Sequence, residues 1–448
     1  MRSASMRDIH GYYLRLALRS VARTPWISAL MVLAIGLGIG ACITTQTVYH
    51  LLSGDPLPQK SGRIFYPQVD PETSAQVRRD PPDLMDYTSA VDLWKSERAD
   101  RQAVMTNSPL KILPTGAGTT AFDAPSLETT HDFFPMFDVP FQYGGPWSVA
   151  DDTARAQVAV ISKSLNDRLF GGGNSVGRML PLAHGAVRIV GVLKHWRPSP
   201  LFFEVHAGRY SGGDTSGFYI RAPQVYLPFF TGMQINAGRF QVYTCWKMPT
   251  NMVQLENQPC DWVSLWVQLD TAAKARAYHR YLVDYSDQQR ALGRFTHPTN
   301  VRLMDLMQWL AYNRVVPGDV HIQAILAWAF LAICLVNVAG LLLTKLLRRS
   351  SEYGVRRALG ASRKAIFAQC LWEALVIGLL GGLLGLLLAV AGLWMVRQQP
   401  VAYADLAQPD PRMLALTVGF ALLASVAFGL WPAWRASRIS PAQQIKAS

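Results

Sequence analysis

The stretch that decides the architecture is Arg348-Arg349-Ser350-Ser351-Glu352-Tyr353-Gly354-Val355-Arg356-Arg357-Ala358-Leu359-Gly360-Ala361-Ser362-Arg363-Lys364. It is short, basic and helix-like, and it is wedged between two long apolar runs. Four such runs reach the roughly 20 residues needed to cross a bilayer. They are Trp26 to Tyr49, Ile322 to Leu343, Ala365 to Val396 and Met413 to Trp434. Between the first and second lie about 270 residues of ordinary globular composition, whereas the other connections are short. The sequence therefore predicts membrane helices plus one large soluble domain.

Charge placement assigns the sides. Arg2, Arg7, Arg15, Arg19 and Arg23 precede the first run, opposed only by Asp8. Lys345, Arg348, Arg349, Arg356, Arg357, Arg363 and Lys364 lie between the second and third, opposed by Glu352, and Arg435, Arg438 and Lys446 follow the fourth. The segment from Ser53 to Val320 has 26 basic and 25 acidic residues and is nearly neutral, although the chain carries a formal +13. Lys and Arg mark cytoplasmic flanks, so both termini are expected inside and the large segment outside. Because the excess charge sits beside the spans, nucleic-acid binding is not the reading of this basic chain. Ile39-Gly40-Ala41-Cys42 loosely resembles a lipoprotein cleavage box, but the apolar run continues to Leu52, which fits a retained span better.

The expected organisation divides at the spans. Residues 1–25 are a cytoplasmic flank, 26–52 the first span, 53–320 the exported domain, and 321–344 the second span. Residues 345–364 are a cytoplasmic segment, 365–397 the third span, 398–411 a short outer loop, 412–434 the fourth span, and 435–448 a tail. Along Asp8 to Arg23, Leu14, Leu18 and Val21 share one face, with Arg15, Arg19 and Arg23 near another. That pattern suits a helix lying on the inner membrane surface, ended near Pro25, or a simple charged flank. In the exported domain, Pro81-Pro82-Asp83-Leu84 reads as the start of a helix running through Trp94. Strands are expected at Ala103 to Met105, Val158 to Ile161, Val187 to Leu193 and Trp262 to Leu269. Helices are expected at Ser162 to Phe170, Thr271 to Leu292 and Val301 to Tyr312. This is a mixed α+β domain in two lobes, one from about 120 to 250 and a membrane-proximal one from 53–119 and 251–320.

Several residues invite specific roles. Gly36 and Gly40, Gly378 and Gly382, and Gly381 and Gly385 each stand four apart, a spacing that lets helices approach closely. Asn337 is polar at depth and is expected to hydrogen-bond across helices. Glu373 has either an interfacial, snorkelling position or a buried partner. Of five cysteines, only Cys245 and Cys260 fall in the exported segment, and an oxidising compartment would favour a bridge over two free thiols.

Catalytic motifs are missing. The dipeptide Gly-Lys never occurs, so there is no P-loop. The nine histidines show neither HExxH nor zinc spacing, and no nucleophile elbow is expected. Asp151-Asp152 reads as a solvated turn. Gly171-Gly172-Gly173-Asn174 follows a helix rather than opening one, so it reads as a C-cap. No catalytic residue, metal ligand or cofactor site is expected in this chain.

With these features in place, the chain resembles the MacB/FtsX-type permeases of ABC transporters (type VII, the mechanotransmission family). Carrying the resemblance are Asn337 to Leu343, Glu352 to Arg363, Glu373 with Gly381-Gly382 and Gly385, and Pro432-Ala433-Trp434-Arg435-Ala436-Ser437-Arg438-Ile439-Ser440-Pro441. In the exported segment, Phe133-Phe134, Val158 to Ser162, Arg168 to Gly171, Val176-Gly177 and Val190 to Val192 are similar to the MacB-type periplasmic core. The resemblance implies an α-helical membrane protein with four transmembrane helices and a periplasmic domain between the first two, in a bacterial inner membrane. It implies a non-catalytic permease that pairs with a second permease chain, identical or homologous. It also implies a cytoplasmic ABC ATPase dimer, on another chain, that binds ATP and Mg and docks on Glu352, Tyr353, Val355, Arg356, Arg357, Leu359, Gly360, Ala361, Ser362 and Arg363. There Glu352 would cap or pair at the helix start, Val355 and Leu359 would pack into the partner, and the arginines would meet acidic groups or membrane lipids. The expected activity is export of a drug, peptide or other periplasmic substrate, with an adaptor and an outer-membrane duct. Lipoprotein release and a signalling scaffold for a periplasmic enzyme remain the alternatives; the exported domain is large for the division protein FtsX.

Overall fold

The computed structural model describes residues 6–73, 79–114, 120–205, 216–400, 403–407 and 411–437. Arg2, Arg438, Ser440, Pro441 and Lys446, used above for topology and family pattern, lie outside them. The helices are α1 (Met6–Arg23), α2 (Pro25–Ser53), α3 (Tyr87–Lys95), α4 (Phe133–Met136), α5 (Val149–Thr153), α6 (Lys163–Phe170), α7 (Phe229–Ile235), α8 (Ala272–Ala291), α9 (Leu306–Tyr312), α10 (Gly318–Arg348), α11 (Ser350–Ala358), α12 (Arg363–Arg397) and α13 (Pro411–Ser437). The strands are β1 (Ile64–Gln68), β2 (Arg101–Ile112), β3 (Phe122–Thr129), β4 (Phe141–Gly144), β5 (Val158–Ile161), β6 (Met179–Leu182), β7 (Gly185–Leu193), β8 (Val225–Pro228), β9 (Thr244–Cys245), β10 (Cys260–Asp261), β11 (Ser264–Gln268) and β12 (Arg302–Asp305). They form two compact units, one of Met1–Leu52 with Val316–Ser448 and one of Ser53–Val315.

The Ser53–Val315 unit is built on one mixed sheet in the order β12-β1-β11-β2-β3-β8-β5-β7-β4, with β6 against β2 and β7. The long β2–β3 hairpin, in register from Met105↔Thr129 to Ile112↔Phe122, carries the sheet across the whole unit. Pairing is antiparallel except between β3 and β8 and between β5 and β7. One core gathers Val104, Trp262, Leu265, Tyr278 and Leu282 under α3 and α8. A second gathers Leu110, Ile112, Ile161, Leu165, Val187 and Ile189 under α6. α7 touches both: Phe229 and Met233 pack into the first core and Ile235 against the second.

Local chemistry sets the helix ends. The Ser162 side chain accepts from the Leu165 amide to open α6, and Gly171, at φ +70°, closes it. Two expected boundaries differ. The helix expected from Pro81 begins at Asp86, whose carboxylate accepts from the Ser89 amide. The prolines upstream lie in irregular chain instead, with the Pro82 carbonyl accepting from Gln68 Nε2 and the Asp83 carbonyl from the Tyr66 hydroxyl. The helix expected over Val301 to Tyr312 divides in two: Arg302–Asp305 pairs with β1, and α9 starts only after Asp305. There Asp305 and Gln308 form a capping box, a strong start signal inside the apolar run. Cys245 and Cys260 are joined by a disulfide across the β9–β10 ribbon.

In the other unit, α2, α10 and α12 are long and apolar enough to cross a membrane. α13 is a further 27-residue helix over the fourth apolar run. α2 and α12 interlock through glycine. A Cβ on Gly381 would lie 2.6 Å from the Ile35 Cβ, and one on Gly40 would lie 2.7 Å from the Leu388 Cβ. Gly36 faces Leu384 and Gly385 faces Ile39 in the same way, so each helix supplies both the gap and the side chain that fills it. Gly378 and Gly382 are buried along α12. α1 buries Ala17 and Ser20 and leaves Leu14 and Leu18 exposed.

Candidate functional site

The cytoplasmic-type segment between α10 and α12 folds as an isolated two-and-a-half-turn helix, α11. The chain breaks at Arg349, which has non-helical backbone angles, and resumes at Ser350. It turns again at Gly360, whose φ of +98° is costly for any residue with a Cβ. Ser362 then N-caps α12 by accepting from the Ala365 amide. A rigid stub with sharp ends is the result. Its inner side buries Tyr353 and Gly354. Its outer side presents Val355, 60% exposed, and Leu359, 84% exposed. Arg363 is exposed beyond the turn, and Ala361 is half-buried.

Glu352 does not cap α11; it pairs. Its Oε2 accepts from Arg349 Nε and Nη2 at 3.0 and 2.9 Å, and its Oε1 accepts from Arg356 Nη2 at 2.9 Å. Partial desolvation works against its charge, yet these arginines win and hold its pKa below the ordinary value. Burial likewise opposes the Arg349 charge, but Glu352 and Glu373 outweigh it and raise its pKa. Burial pushes the Tyr353 phenol well up, so it stays neutral. Arg356 also donates to Gln369 Oε1 on α12 at 2.8 Å.

Behind this helix lies an ion pair with no surface access. Lys345 Nζ and Glu373 Oε1 are 2.6 Å apart, and each side chain is 1% exposed. Ser20 on α1 donates to Glu373 Oε1 at 2.6 Å, and Lys345 Nζ donates to Ser28 on α2 at 3.1 Å. Glu373 is therefore not interfacial, and Lys345 is not a simple flanking charge: four helices converge to enclose them. A buried charge is tolerated only when paired and hydrogen-bonded, and removing one partner costs roughly 3–5 kcal/mol. Ser20, Lys345, Arg349 and Gln369 escaped sequence reasoning. Their one signal was that Lys345 is followed by Leu346 and Leu347 before the basic stretch begins. Asn337 also differs from expectation: it is exposed on α10 rather than bonded across helices.

The Ser53–Val315 unit buries carboxylates of its own. Asp152 is not in a solvated turn; it accepts from the His131 amide at 2.7 Å and from Trp147 Nε1 at 2.8 Å. Asp151 takes the exposed role, in a capping box with Ser148. Burial pushes Asp152 up to about 7. Glu128 on β3 is fully buried, and its Oε1 accepts from Ser108, Ser126 and Asn236 at 2.8, 2.7 and 2.8 Å. Desolvation pushes it to about 7 despite those bonds.

Residues 28–282 match the MacB-like periplasmic core domain, and residues 324–441 match the FtsX-like permease C-terminal domain. The chain belongs to the MacB/FtsX family of ABC transporter permeases. A macrolide export ATP-binding/permease protein MacB of Bdellovibrio bacteriovorus is 23% identical over 93% of this chain. The chain spans 57% of that relative's length. The uncharacterized ABC transporter permease YvrN of Bacillus subtilis is 23% identical over 70% of this chain and 68% of its own. The crystal structure of the periplasmic region of MacB from Actinobacillus actinomycetemcomitans aligns with 59% of this chain and 99% of that one, at 11% identity and a TM-score of 0.37. In this MacB/FtsX-family chain, α11 lies within the matched permease domain and β2 to β8 within the matched core domain.

Proposed function

We propose that this chain is the non-catalytic permease subunit of an ABC exporter. It would convert ATP hydrolysis on a partner ATPase into movement of its periplasmic Ser53–Val315 unit, without carrying substrate across the bilayer. The observation that carries the reading is the two-sidedness of α11. Val355 and Leu359 are bare on one side, while Tyr353, Glu352 and Arg356 lock the other side to the spans. A helix built to be pushed needs an apolar contact face and a stiff attachment. The export role of the MacB relative supports the direction of transport.

In this reading α13 is the fourth span, both termini are cytoplasmic, and ATP and Mg are held by the partner. A second permease chain, a periplasmic adaptor and an outer-membrane duct complete the assembly. The exposed Asn337 suits a contact between two permeases, since a bare amide in lipid is costly. The substrate is a drug, peptide or similar periplasmic molecule.

Mild-detergent purification of the tagged chain from native membranes, with mass spectrometry of its companions, tests this. An ABC ATPase and a periplasmic adaptor are expected. Recovery of a cell-wall hydrolase or a lipoprotein carrier in place of the adaptor would overturn the export reading. Recovery of no ATPase would overturn the coupling reading.

A further inference from the structure

The two oxygens of Glu373 are unequally satisfied. Oε1 has Lys345 and Ser20 at 2.6 Å each. Oε2 is buried and accepts no hydrogen bond from the described residues; the Arg349 guanidinium stands 3.6 Å from it. Arg349 directs Nε and Nη2 to Glu352 instead and places Nη1 against Ser20 Oγ. A buried acceptor without a partner is costly. A shift of about 1 Å would bring Arg349 to the charge-assisted distance of about 2.8 Å from it.

We propose that Arg349 is a positioning residue shared between Glu352 on α11 and Glu373 in the helical bundle, so that displacement of α11 exchanges one contact for the other. This rests on the reading of α11 as the coupling helix. The charge arrangement makes the exchange easy. When Arg349 leaves Glu352, Arg356 still holds Glu352 Oε1 at 2.9 Å. When it leaves Glu373, Lys345 still holds Oε1 at 2.6 Å. Neither carboxylate is ever without a cation, so no bare buried charge lies between the two arrangements. Arg349 also sits where α10 ends and the backbone leaves helical geometry, the natural hinge between span and stub. Through Ser20 and Lys345 the exchange reaches α1 and α10, and through Glu373 it reaches α12. A push on α11 thus arrives at three other helices through one guanidinium.

Two measurements on the full-length chain in nanodiscs test the assignment. Cys42, Cys334 and Cys370 are buried and Cys245 is bonded to Cys260, so a cysteine at 359 (Leu359→Cys) is the accessible thiol for a nitroxide label. Arg349→Gln is expected to increase the mobility of that label, and Arg349→Lys, a point charge without the fork, to fall between it and the parent. Ser20→Ala loses the Nη1 contact but keeps the Arg349–Glu352 pair, so it is expected to move the label less than Arg349→Gln does. The second measurement uses the complex with its co-purified ATPase. Arg349→Gln and Ser20→Ala are expected to retain the ATPase but to lower ATP-dependent motion of the periplasmic unit about tenfold, within the usual range of coupling effects. An unchanged label spectrum in Arg349→Gln overturns the proposal. So does loss of the ATPase in that variant as complete as in Leu359→Glu, which would make Arg349 part of the docking face. If the wild-type chain captures no ATPase, the coupling reading falls and the relay with it, while increased label mobility still establishes Arg349 as the anchor of α11.

Discussion

Replacing Glu128 by glutamine should stabilise the periplasmic unit above neutral pH and do little below pH 5. Glu128 lies on the central hairpin, fully buried, with three donors on one oxygen and, among the described residues, none on the other. Desolvation raises its folded pKa from 4.5 to about 7. The folded state therefore binds the proton more tightly than the unfolded state. The stabilising contribution of that proton is complete below pH 4.5 and is lost as pH rises through 7. The shift corresponds to about 3 kcal/mol once both states are ionised. Glutamine keeps the acceptor for Ser108, Ser126 and Asn236 and carries no charge to desolvate. For a unit of this size, that difference amounts to roughly 6–12 °C in melting temperature. The assay is thermal unfolding of wild type and Glu128→Gln in the same detergent at pH 5 and pH 9, with hydrogen exchange on β3 as the local readout. Subtracting the two proteins at each pH cancels Asp152 and Glu204, which burial also raises. If the two melting curves shift in parallel between pH 5 and pH 9, the desolvation argument is wrong.

Other expectations are more compact. Lys345→Met should cost roughly 3–5 kcal/mol by stranding Glu373, and adding Glu373→Gln should recover most of it, as read by thermal melting. Gly381→Leu should separate α2 from α12, because its Cβ would already meet Ile35 at 2.6 Å; a loss of about 1–3 kcal/mol is expected from overpacking, measured by the same melt. Breaking the disulfide with Cys245→Ala and Cys260→Ala should cost about 3 kcal/mol for a loop of 15 residues, and reductant should then have no further effect on unfolding. Leu359→Glu should abolish ATPase co-purification while leaving the melting temperature within about 1 °C, since an exposed side chain away from packing contributes little stability.

Much of the fold was written locally. Ser162 with Gly171, and Thr271 at the start of α8, are capping signals that depend on a few neighbouring residues, and each reads correctly. Apolar run length does the same for α2, α10 and α12. The misreadings share a cause: they concern what lies opposite. Val301 to Tyr312 looked helical throughout because nothing in it says that β1 waits to pair with Arg302–Asp305. Asp152 looked solvated because its donors, His131 and Trp147, come from other turns. Lys345 counted as a flank charge because burial follows from Glu373, Ser20 and Ser28 converging from three other helices. Asn337 was assigned a partner on polarity alone, yet its rotation about α10 points it outward. For the segment between α10 and α12, residue type indicated a short basic helix, but the residues anchoring it were legible only in three dimensions.

The bond between Cys245 and Cys260 is also a record of the route the chain has taken. Three other cysteines are buried among the helices as free thiols, so a molecule with the proposed topology would contain three thiols and one disulfide. A copy inserted the other way round would hold residues 53–315 in a reducing compartment and would contain five thiols. Counting thiols in denatured, alkylated protein therefore reads orientation molecule by molecule, with no tag or fusion, and sorts properly inserted chains from inverted ones in any overproduced batch.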